Sequence, residues 1–351
     1  MLCLGVLLIT LAEIRNGTLL DFEIYYMAGS ALLNGETPYQ FYGEFSLPFQ
    51  YFPWVGWLFV PLAAMPIQSA WIVYAVINMG LLYISVVILL SLPSAEKERA
   101  AILKSLYIFS ASLLMSLLVF IVGQISIFLL FVCVLIIKLL HHDRRELAGL
   151  IAPFLLTKPH LMLLFLPYTL LKGGKRFILY SAIGTAVLAG IAAIQNPAWG
   201  TEMFNIIRLG QDRGDGLLWG FSTLPGALEL RNWRIMNFLF AVPSLAVSIC
   251  IIRQLKRLPL QQQLSFSLAL SLFSAPYSFA YDLPLIIPAL IYLSGANRNY
   301  TVIMWLCAAF LPRIVQFQGQ TYFLILATVI LICFNSKDAD NKVDGKNGIK
   351  S

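Results

Sequence analysis

Charged residues are scarce in this sequence. Asp, Glu, Lys and Arg make up 12% of its 351 residues, whereas a soluble domain carries about 25%. Apolar residues account for 59%, and the mean hydropathy is +0.81. This deficit excludes a water-soluble core and predicts a protein that crosses the membrane several times. The net charge of +7 comes from short basic clusters between apolar segments, which is a signal of membrane topology and argues against a nucleic-acid partner.

The sequence also lacks groups of residues with the spacing of metal ligands. Its five cysteines lie in apolar segments, which is typical of buried free thiols. No Asp-x-Asp pair accompanies the polar motifs described below, so we expect neither a metal nor another cofactor. Residues 1–14 have no basic segment and no small-residue cleavage site. They therefore predict a short first membrane helix and not a signal peptide.

Apolar segments, by contrast, fill most of the chain. A full membrane crossing requires roughly 20 apolar residues, and several of these segments are shorter. Together they predict an all-α bundle of about 12 transmembrane helices, which forms a single domain over residues 1–334. The segments are residues 2–14, 70–92, 106–122, 125–140, 147–157, 161–171, 177–194, 235–252, 264–275, 283–293, 300–311 and 322–334.

Basic clusters orient these segments, because cytoplasmic loops are enriched in Lys and Arg. The clusters are Arg144-Arg145, Lys172-Gly-Gly-Lys175-Arg176 and Arg253-Gln-Leu-Lys256-Arg257. With them inside, residues 15–52 form a first extracytoplasmic loop that carries interfacial helices, and residues 196–218 form another outer loop. Residues 53–92 must then cross the membrane an odd number of times. Both termini are expected in the cytoplasm, and the polar tail, residues 335–351, is expected to be disordered.

An acidic stretch, residues 21–40, interrupts the apolar pattern near the start and contains no Lys or Arg. One interpretation is that Asp21 caps a helix over residues 22–33, which Asn34-Gly35 terminates. The other is that Asp21 is a catalytic carboxylate. It would take the proton of an acceptor hydroxyl as the anomeric carbon of a sugar is attacked. The two interpretations are compatible, because a cap holds its carboxylate in place.

Lys158 stands in the motif Thr157-Lys158-Pro159-His160, between two short apolar segments. A lysine at this depth is costly unless it is paired or hydrated, and a phosphate is a suitable partner. His160 either assists the acceptor or packs as an ordinary side chain. The predicted outer loop with Arg208 and Arg213 is either a flexible connection or a flap with an arginine for a phosphate.

Three further motifs fall near predicted helix ends on the outer side. Gln124 is either part of a polar helix cap or a site residue. Asp282 either caps a helix that starts at Leu283 or belongs to the site. The aromatic stretch, residues 49–53, is either an interfacial belt or the wall of a lipid-facing site.

These motifs, in this order, resemble the polyprenol-phosphate-sugar-dependent glycosyltransferases of the GT-C class, and among them the mannosyltransferases of family 87. The resemblance spans residues 21–285. The family pattern has a second proline where Trp54 stands and an asparagine where Ser126 stands. The matching motifs are Asp21-Phe-Glu-Ile-Tyr25-Tyr26, Leu32-Leu-Asn-Gly35-Glu-Thr-Pro-Tyr39, Phe49-Gln-Tyr-Phe-Pro53, Gly123-Gln124-Ile-Ser126, Lys158-Pro159 and Ser274-Ala-Pro276-Tyr-Ser278-Phe.

The resemblance implies transfer of a sugar, often mannose, from a polyprenyl-phosphate donor to a glycan or glycolipid acceptor, with inversion. It implies a bacterial plasma-membrane protein whose active site lies on the extracytoplasmic face. Asp21 is then the catalytic base, and Lys158, Arg208 and Arg213 bind the donor phosphate. The residues expected to contact the sugar or the lipid are Tyr25, Gln124, His160, Tyr277 and Asp282.

Two other classes of protein stay open at this point. A transporter or flippase of a lipid-linked glycan would place charges in the middle of its helices and show an internal repeat. The polar motifs of this sequence cluster on one predicted side instead. A structural subunit of a cell-envelope complex would not require the combination of Asp21 and Lys158.

Overall fold

A computed structural model describes residues 3, 5, 20–42, 47–92, 101–213, 233–294 and 325–330. Several sequence predictions concern other parts of the chain. Most of the predicted first helix, the segment 300–311, most of the segment 322–334 and the tail 335–351 lie outside the described residues.

The described chain is almost entirely helical, which confirms the all-α prediction. One short antiparallel pair, β1 (Phe41–Tyr42) and β2 (Leu47–Pro48), places Phe41 opposite Pro48. The α-helices are α1 (Leu20–Leu33), α2 (Pro53–Trp57), α3 (Val60–Ala63), α4 (Ile67–Ser91), α5 (Ala101–Met115), α6 (Leu117–Val122), α7 (Ser126–His141), α8 (Arg145–Ile151), α9 (Phe165–Gln195), α10 (Trp199–Arg213), α11 (Trp233–Gln254), α12 (Leu260–Phe273) and α13 (Ile287–Ser294). Short 3₁₀ helices cover Ala152–Thr157, Pro159–Met162, Leu255–Arg257 and Ala280–Ile286.

Within the described residues, three helices are long and apolar enough to cross a membrane: Ile67–Ser91, Phe165–Gln195 and Leu239–Arg257. The membrane-protein prediction is therefore supported, whereas the number of about 12 crossings stays a prediction. The predicted segments 147–157 and 161–171 are each divided between an α-helix and a 3₁₀ helix. Pro153 and Pro159 each stand at the start of a 3₁₀ helix, because proline removes a donor and suits the first turn of a helix.

The basic cluster at residues 172–176 lies where α9 changes direction. Gly174 has φ 68° and ψ −165°, which is not a helical conformation, so α9 consists of two helices that meet at this residue, as the cluster predicts. Glycine adopts this backbone conformation without the steric cost of a Cβ atom. The helix beyond the kink exposes apolar side chains such as Leu179, Val187 and Ile191, as expected for a surface that faces lipid.

Helices α8 and α9 pack closely through glycine. A Cβ atom on Gly149 would lie 2.6 Å from the backbone oxygen of Phe177, and one on Gly184 would lie 2.9 Å from that of Leu150. Small residues at such crossings let membrane helices approach each other. The apolar core extends from this pair through α7 and α4 to the buried side of α1. Asp21 and Gln124, two of the polar residues predicted from the sequence, lie where α1 meets the end of α6.

Candidate functional site

Asp21 lies in the first turn of α1. The helix begins at Leu20 and not at Phe22, so the interpretation of Asp21 as the N-cap is wrong in detail. An acidic residue in the first turn still interacts favourably with the helix dipole. The next residue, Phe22, is fully buried and packs against Trp71 and Tyr74, with ring centroids 5.1 and 5.2 Å away. This aromatic packing fixes the start of α1 against α4.

Gly123 brings Gln124 beside Asp21. It ends α6 in the left-handed conformation, with φ 76°, which glycine adopts most easily. A Cβ atom at this position would lie only 2.4 Å from Cβ of Phe22, so the turn can touch α1 only because residue 123 is glycine. The Tyr74 hydroxyl donates to the Gln124 carbonyl oxygen at 2.9 Å and holds the turn in place.

A chain of polar side chains leads from Tyr51 to Asp21. Tyr25 Oη lies 2.8 Å from Tyr51 Oη and 3.0 Å from Gln124 Oε1. An amide oxygen can only accept, so Tyr25 donates to Gln124 and accepts from Tyr51. The amide N–H groups of Gln124 are then left for the Asp21 carboxylate, whose pKa its side chain lowers by hydrogen bonding. Gln124 and Tyr25, which were expected to contact the sugar or the lipid, are therefore hydrogen-bonded to other side chains of the protein.

Lys158 and Asp282 form a buried ion pair next to this chain. Lys158 Nζ lies 2.6 Å from Asp282 Oδ1, and both side chains are at most 5% exposed. Ser126 Oγ, at the start of α7, accepts from Lys158 Nζ at 3.0 Å and donates to Asp282 Oδ1 at 2.8 Å. The second oxygen of Asp282 accepts from the backbone N–H of Phe279 at 3.0 Å. Both charges are therefore compensated and hydrogen-bonded within the protein.

This arrangement changes the interpretation of Asp282. Its carboxylate belongs to the third residue of the 3₁₀ helix Ala280–Ile286 and bonds back to the residue before that helix. It does not cap a separate helix that starts at Leu283. Asp282 thus caps a helix, as predicted, but the helix begins earlier than predicted. The same carboxylate also neutralises Lys158. The ammonium group of Lys158 further lies 4.6 Å from the ring centroid of Tyr281, a cation–π geometry.

Asp21 differs from Asp282 in having no counter-ion of its own. No described residue forms an ion pair with it, and its side chain stays partly open to solvent. Burial among protein atoms is the main influence and raises the pKa of Asp21 to about 6. Gln124 and Lys158 lower that pKa, while the negative charge of Asp282 raises it. A carboxyl group with such a pKa changes charge close to neutral pH.

His160 and Tyr277 form a stacked pair at the edge of the cluster. Their ring centroids are 4.0 Å apart with an interplanar angle of 22°, and Tyr277 is 36% exposed. Burial lowers the pKa of His160 to about 3; the charge of Asp282 opposes this shift and that of Lys158 adds to it. His160 is therefore neutral at physiological pH. Of the two interpretations, packing as an ordinary side chain is the one that describes its contacts.

The predicted outer arginines are not in this cluster. Arg208 is exposed on α10, and no contact joins it to Lys158 or Asp282 among the described residues. Arg213 is the last residue of α10, and its side chain lies outside the description. Residues 199–213, predicted as part of an outer loop, form this helix, and the rest of the glycine-rich stretch lies outside the described residues.

Three residues of the cluster were not predicted as site residues: Ser126, Tyr51 and Tyr281. Ser126 was visible in the sequence as the place where the family pattern has asparagine. Tyr51 and Tyr281 belong to aromatic stretches that were noted as a belt and a helix junction. In the described part of the chain, no group of three or more His, Cys, Asp or Glu side chains converges as metal ligands would.

Comparison with known proteins gives one match. Neither the curated proteins nor the solved structures matched the chain. The sequence model described as Glycosyltransferase family 87 matches residues 49–275, nearly two thirds of the chain. The match includes Gln124 and Lys158, while Asp21 precedes it and Asp282 follows it. The mannosyltransferase subtype stays a prediction, but the resemblance to the family is confirmed, and the chain belongs to glycosyltransferase family 87.

Proposed function

We propose that this glycosyltransferase moves a sugar, mannose in the first instance, from a polyprenyl phosphate to a glycan or glycolipid acceptor on the extracytoplasmic face of the membrane. Asp21 is the observation that carries the proposal. This carboxylate has no ion-pair partner among the described residues and is partly open to solvent. Its pKa of about 6 suits a general base that works near neutral pH.

The proposed reaction requires one base on the acceptor side. Asp21 takes the proton of an acceptor hydroxyl, and the oxygen of that hydroxyl bonds to the anomeric carbon of the donor sugar. The bond from that carbon to the phosphate oxygen breaks, and its electron pair leaves with the polyprenyl phosphate. A single displacement of this kind inverts the configuration at the anomeric carbon.

Asp282 is poorly suited to the same role. Its two oxygens already accept from Lys158, Ser126 and the N–H of Phe279. Taking a further proton would remove the negative charge that compensates Lys158 in a buried site, which costs several kcal/mol, about 3–5 when one partner of a buried pair is lost. We therefore assign Asp282 to holding the site and Asp21 to proton transfer.

Lys158 remains the proposed ligand of the donor phosphate, although it is also paired with Asp282. Its ammonium group has three N–H bonds, and contacts to Asp282 and Ser126 use two of them. We propose that the third binds a phosphate oxygen. Two arginines of α10 remain proposed ligands of the donor phosphate. They are Arg208, which is exposed, and Arg213 at the end of the helix. The stacked rings of His160 and Tyr277 offer an apolar wall for the sugar.

The direct test compares two acidic residues in the first turn of α1. Asp21→Asn and, as matched control, Glu23→Gln are expressed in a deletion strain, and its envelope glycolipids are examined by mass spectrometry. Glu23 is also partly exposed and acidic. We expect Glu23→Gln to restore the missing glycan and Asp21→Asn to fail at equal protein level. Restoration by Asp21→Asn would remove Asp21 from the chemistry.

A further inference from the structure

A cavity lies at the other end of α1 from Asp21 and is not used by the proposed chemistry. Its volume is about 420 Å³. It is lined by the turn after α1, by the last residues of α9 and by the first residue of α10. The lining residues used below are Glu36, Thr37, Tyr39, Gln195, Asn196 and Trp199.

The cavity lies at the end of α1 that is away from Asp21. Phe22, next to Asp21, contacts Tyr74 inside α4, whereas the Tyr26 hydroxyl reaches the carbonyl oxygen of Met65, just before α4 begins. Helix α1 therefore runs past the start of the crossing helix α4. Leu32, which lines the cavity, stands eleven residues beyond Asp21, or about 16 Å along the helix.

One strip of chain connects the cavity to the Asp21 cluster. Tyr39 lines the cavity, and its hydroxyl donates to the carbonyl oxygen of Tyr51 at 3.1 Å. The hydroxyl of Tyr51 is itself the first member of the chain that leads through Tyr25 to Asp21. A ligand in the cavity and a substrate at Asp21 would thus be linked through Tyr39 and Tyr51.

Polar groups of the cavity are held in fixed positions. Glu202 Oε2 accepts from Thr37 Oγ1 and from Asn196 Nδ2, both at 2.6 Å. Gln195 Oε1 accepts from Trp57 Nε1 at 2.9 Å, so the remaining hydrogen-bonding capacity of Gln195 lies in its amide N–H groups. Charge-assisted contacts such as those of Glu202 are among the stronger hydrogen bonds, and they make the wall rigid before any ligand arrives.

The lining combines an aromatic ring with donors and acceptors. Trp199 packs against Phe52 and Trp54, with ring centroids 6.2 and 6.3 Å away. The carboxylate of Glu36 is exposed beside it. An aromatic face, a carboxylate that accepts and an amide that donates suit a ring with hydroxyl groups on its edge and C–H groups on its face. Among the described residues that line the cavity there is no Lys or Arg, and the negative charge of Glu36 disfavours a phosphorylated ligand.

We propose that this cavity is a distal acceptor subsite, which binds neutral sugar units of the acceptor glycan at a distance from the reacting hydroxyl. The inference rests on the proposed function, because it supplies the acceptor for the base Asp21. Binding of remote units can be used to orient the reacting hydroxyl. The protein would then select acceptors that already carry several sugars.

Binding without turnover tests the subsite separately from the chemistry. The full chain carrying Asp21→Asn, purified in detergent, is titrated with neutral manno-oligosaccharides of one to four units, and binding is followed by saturation-transfer difference NMR. We expect binding that strengthens with length. In the same background, Glu36→Gln and Gln195→Ala should each weaken it by about tenfold, the effect of losing one hydrogen bond to a charged or oriented partner.

The control variant is Gln254→Ala, which changes an exposed glutamine at the end of α11. It should bind the oligosaccharides as the parent does, and all variants should keep the parent's unfolding temperature, since Glu36 and Gln195 are exposed. Absence of binding for every oligosaccharide, or binding that both cavity variants leave unchanged, would overturn the subsite. Neither result concerns the glycolipid assay of Asp21, so the subsite and the proposed function can fail independently.

Discussion

The two carboxylates of the cluster differ in how completely the protein satisfies them. Asp282 is buried, paired with Lys158 and hydrogen-bonded on both oxygens. Asp21 is partly exposed, has no counter-ion among the described residues and has a pKa raised to about 6. A compensated buried pair holds three chain segments together, whereas a poorly compensated carboxylate is ready to take up a proton. From this comparison we infer that Asp282 holds the site together and that Asp21 transfers the proton.

The largest expected effect is the loss of transfer in Asp21→Asn. Asparagine cannot accept the proton of the acceptor, so the rate should fall by about 10²–10⁴-fold, the usual contribution of a general base. Asp21→Glu keeps the charge but displaces it, and we expect a loss of about 10²-fold. Transfer is measured with purified protein and a polyprenyl-phosphate sugar. Turnover of Asp21→Asn at the parent's rate would contradict the assignment.

The same variant should be more stable than the parent above neutral pH. The folded state raises the pKa of Asp21 from 3.8 to about 6, so its stabilising contribution is complete below pH 3.8 and is lost as the pH rises through 6. Asparagine carries no such charge. The unfolding temperature of Asp21→Asn should therefore exceed that of the parent at pH 8, and the difference should shrink toward pH 4.

The next largest effect concerns stability and the ion pair. Lys158→Ala leaves the buried carboxylate of Asp282 without a counter-ion, which costs about 3–5 kcal/mol. Asp282→Ala likewise leaves the buried ammonium group of Lys158 without a counter-ion. The double variant buries neither charge and should be more stable than either single variant, as a thermal unfolding series in detergent would show. Additive losses in the double variant would mean that the pair does not couple the two segments.

This result would revise what the sequence predicts for Lys158. The cost of a lysine at this depth was recognised from the sequence, and a phosphate was inferred as its partner. The structure supplies a partner from the protein, Asp282, which stands 124 positions later in the chain. Sequence patterns carry no information on such a long-range pairing, because both residues lie at the ends of short helices whose relative placement depends on tertiary packing.

Several of the predicted site residues lie close together in the structure. Asp21, Gln124 and Lys158 were selected as polar residues in apolar surroundings, and the structure brings them together with Asp282. The arginines were selected by charge alone, and exposed Arg208 shows the weakness of that signal. Tyr51 was missed because a tyrosine in an aromatic stretch has many equivalent packing roles, and only its contact with Tyr25 distinguishes it.

The fold was predictable to a similar extent. Apolar composition predicts a helical membrane protein, and α4 and the outer part of α9 coincide with predicted crossings. The cluster of basic residues and glycines at residues 172–176 predicts a break, and the structure has one at Gly174, where two helices meet. Composition indicates the break, but it does not reveal that a single glycine forms it in place of a longer loop.

A smaller effect is expected from Gly123→Ala. The new Cβ atom would lie 2.4 Å from Phe22 Cβ in a backbone conformation with φ 76°, so the turn or α1 must shift. We expect a loss of about 1–3 kcal/mol in stability, typical of such strain, together with reduced transfer as Gln124 moves from Asp21. Gly80→Ala is the matched control. Gly80 is a helical glycine of α4 with no atom within 4 Å of an added Cβ.

Gly80→Ala should leave transfer unchanged and raise stability by about 0.5–1 kcal/mol, because alanine favours the helix more than glycine does. Unfolding temperature and transfer rate are measured for both variants. Equal behaviour of the two would show that the close approach of the turn to Phe22 has no energetic consequence.

The smallest effect, and the sharpest test of the contrast between the carboxylates, is a change in pH dependence. A base is active when it is unprotonated, so transfer should decrease as the pH falls through about 6, the pKa of Asp21. Gln124→Leu removes a side chain that lowers this pKa. The midpoint should therefore move to higher pH, by up to about one unit, since a hydrogen bond contributes about 1 kcal/mol.

Tyr26→Phe, which removes a contact to Met65 on the far side of α1, should leave the midpoint in place. The measurement is kcat/KM from pH 5 to 8 for the three proteins. A Gln124→Leu midpoint equal to that of the parent would show that Gln124 does not act on the base, and Asp21 would then be held at its pKa by burial and by Lys158 and Asp282 alone.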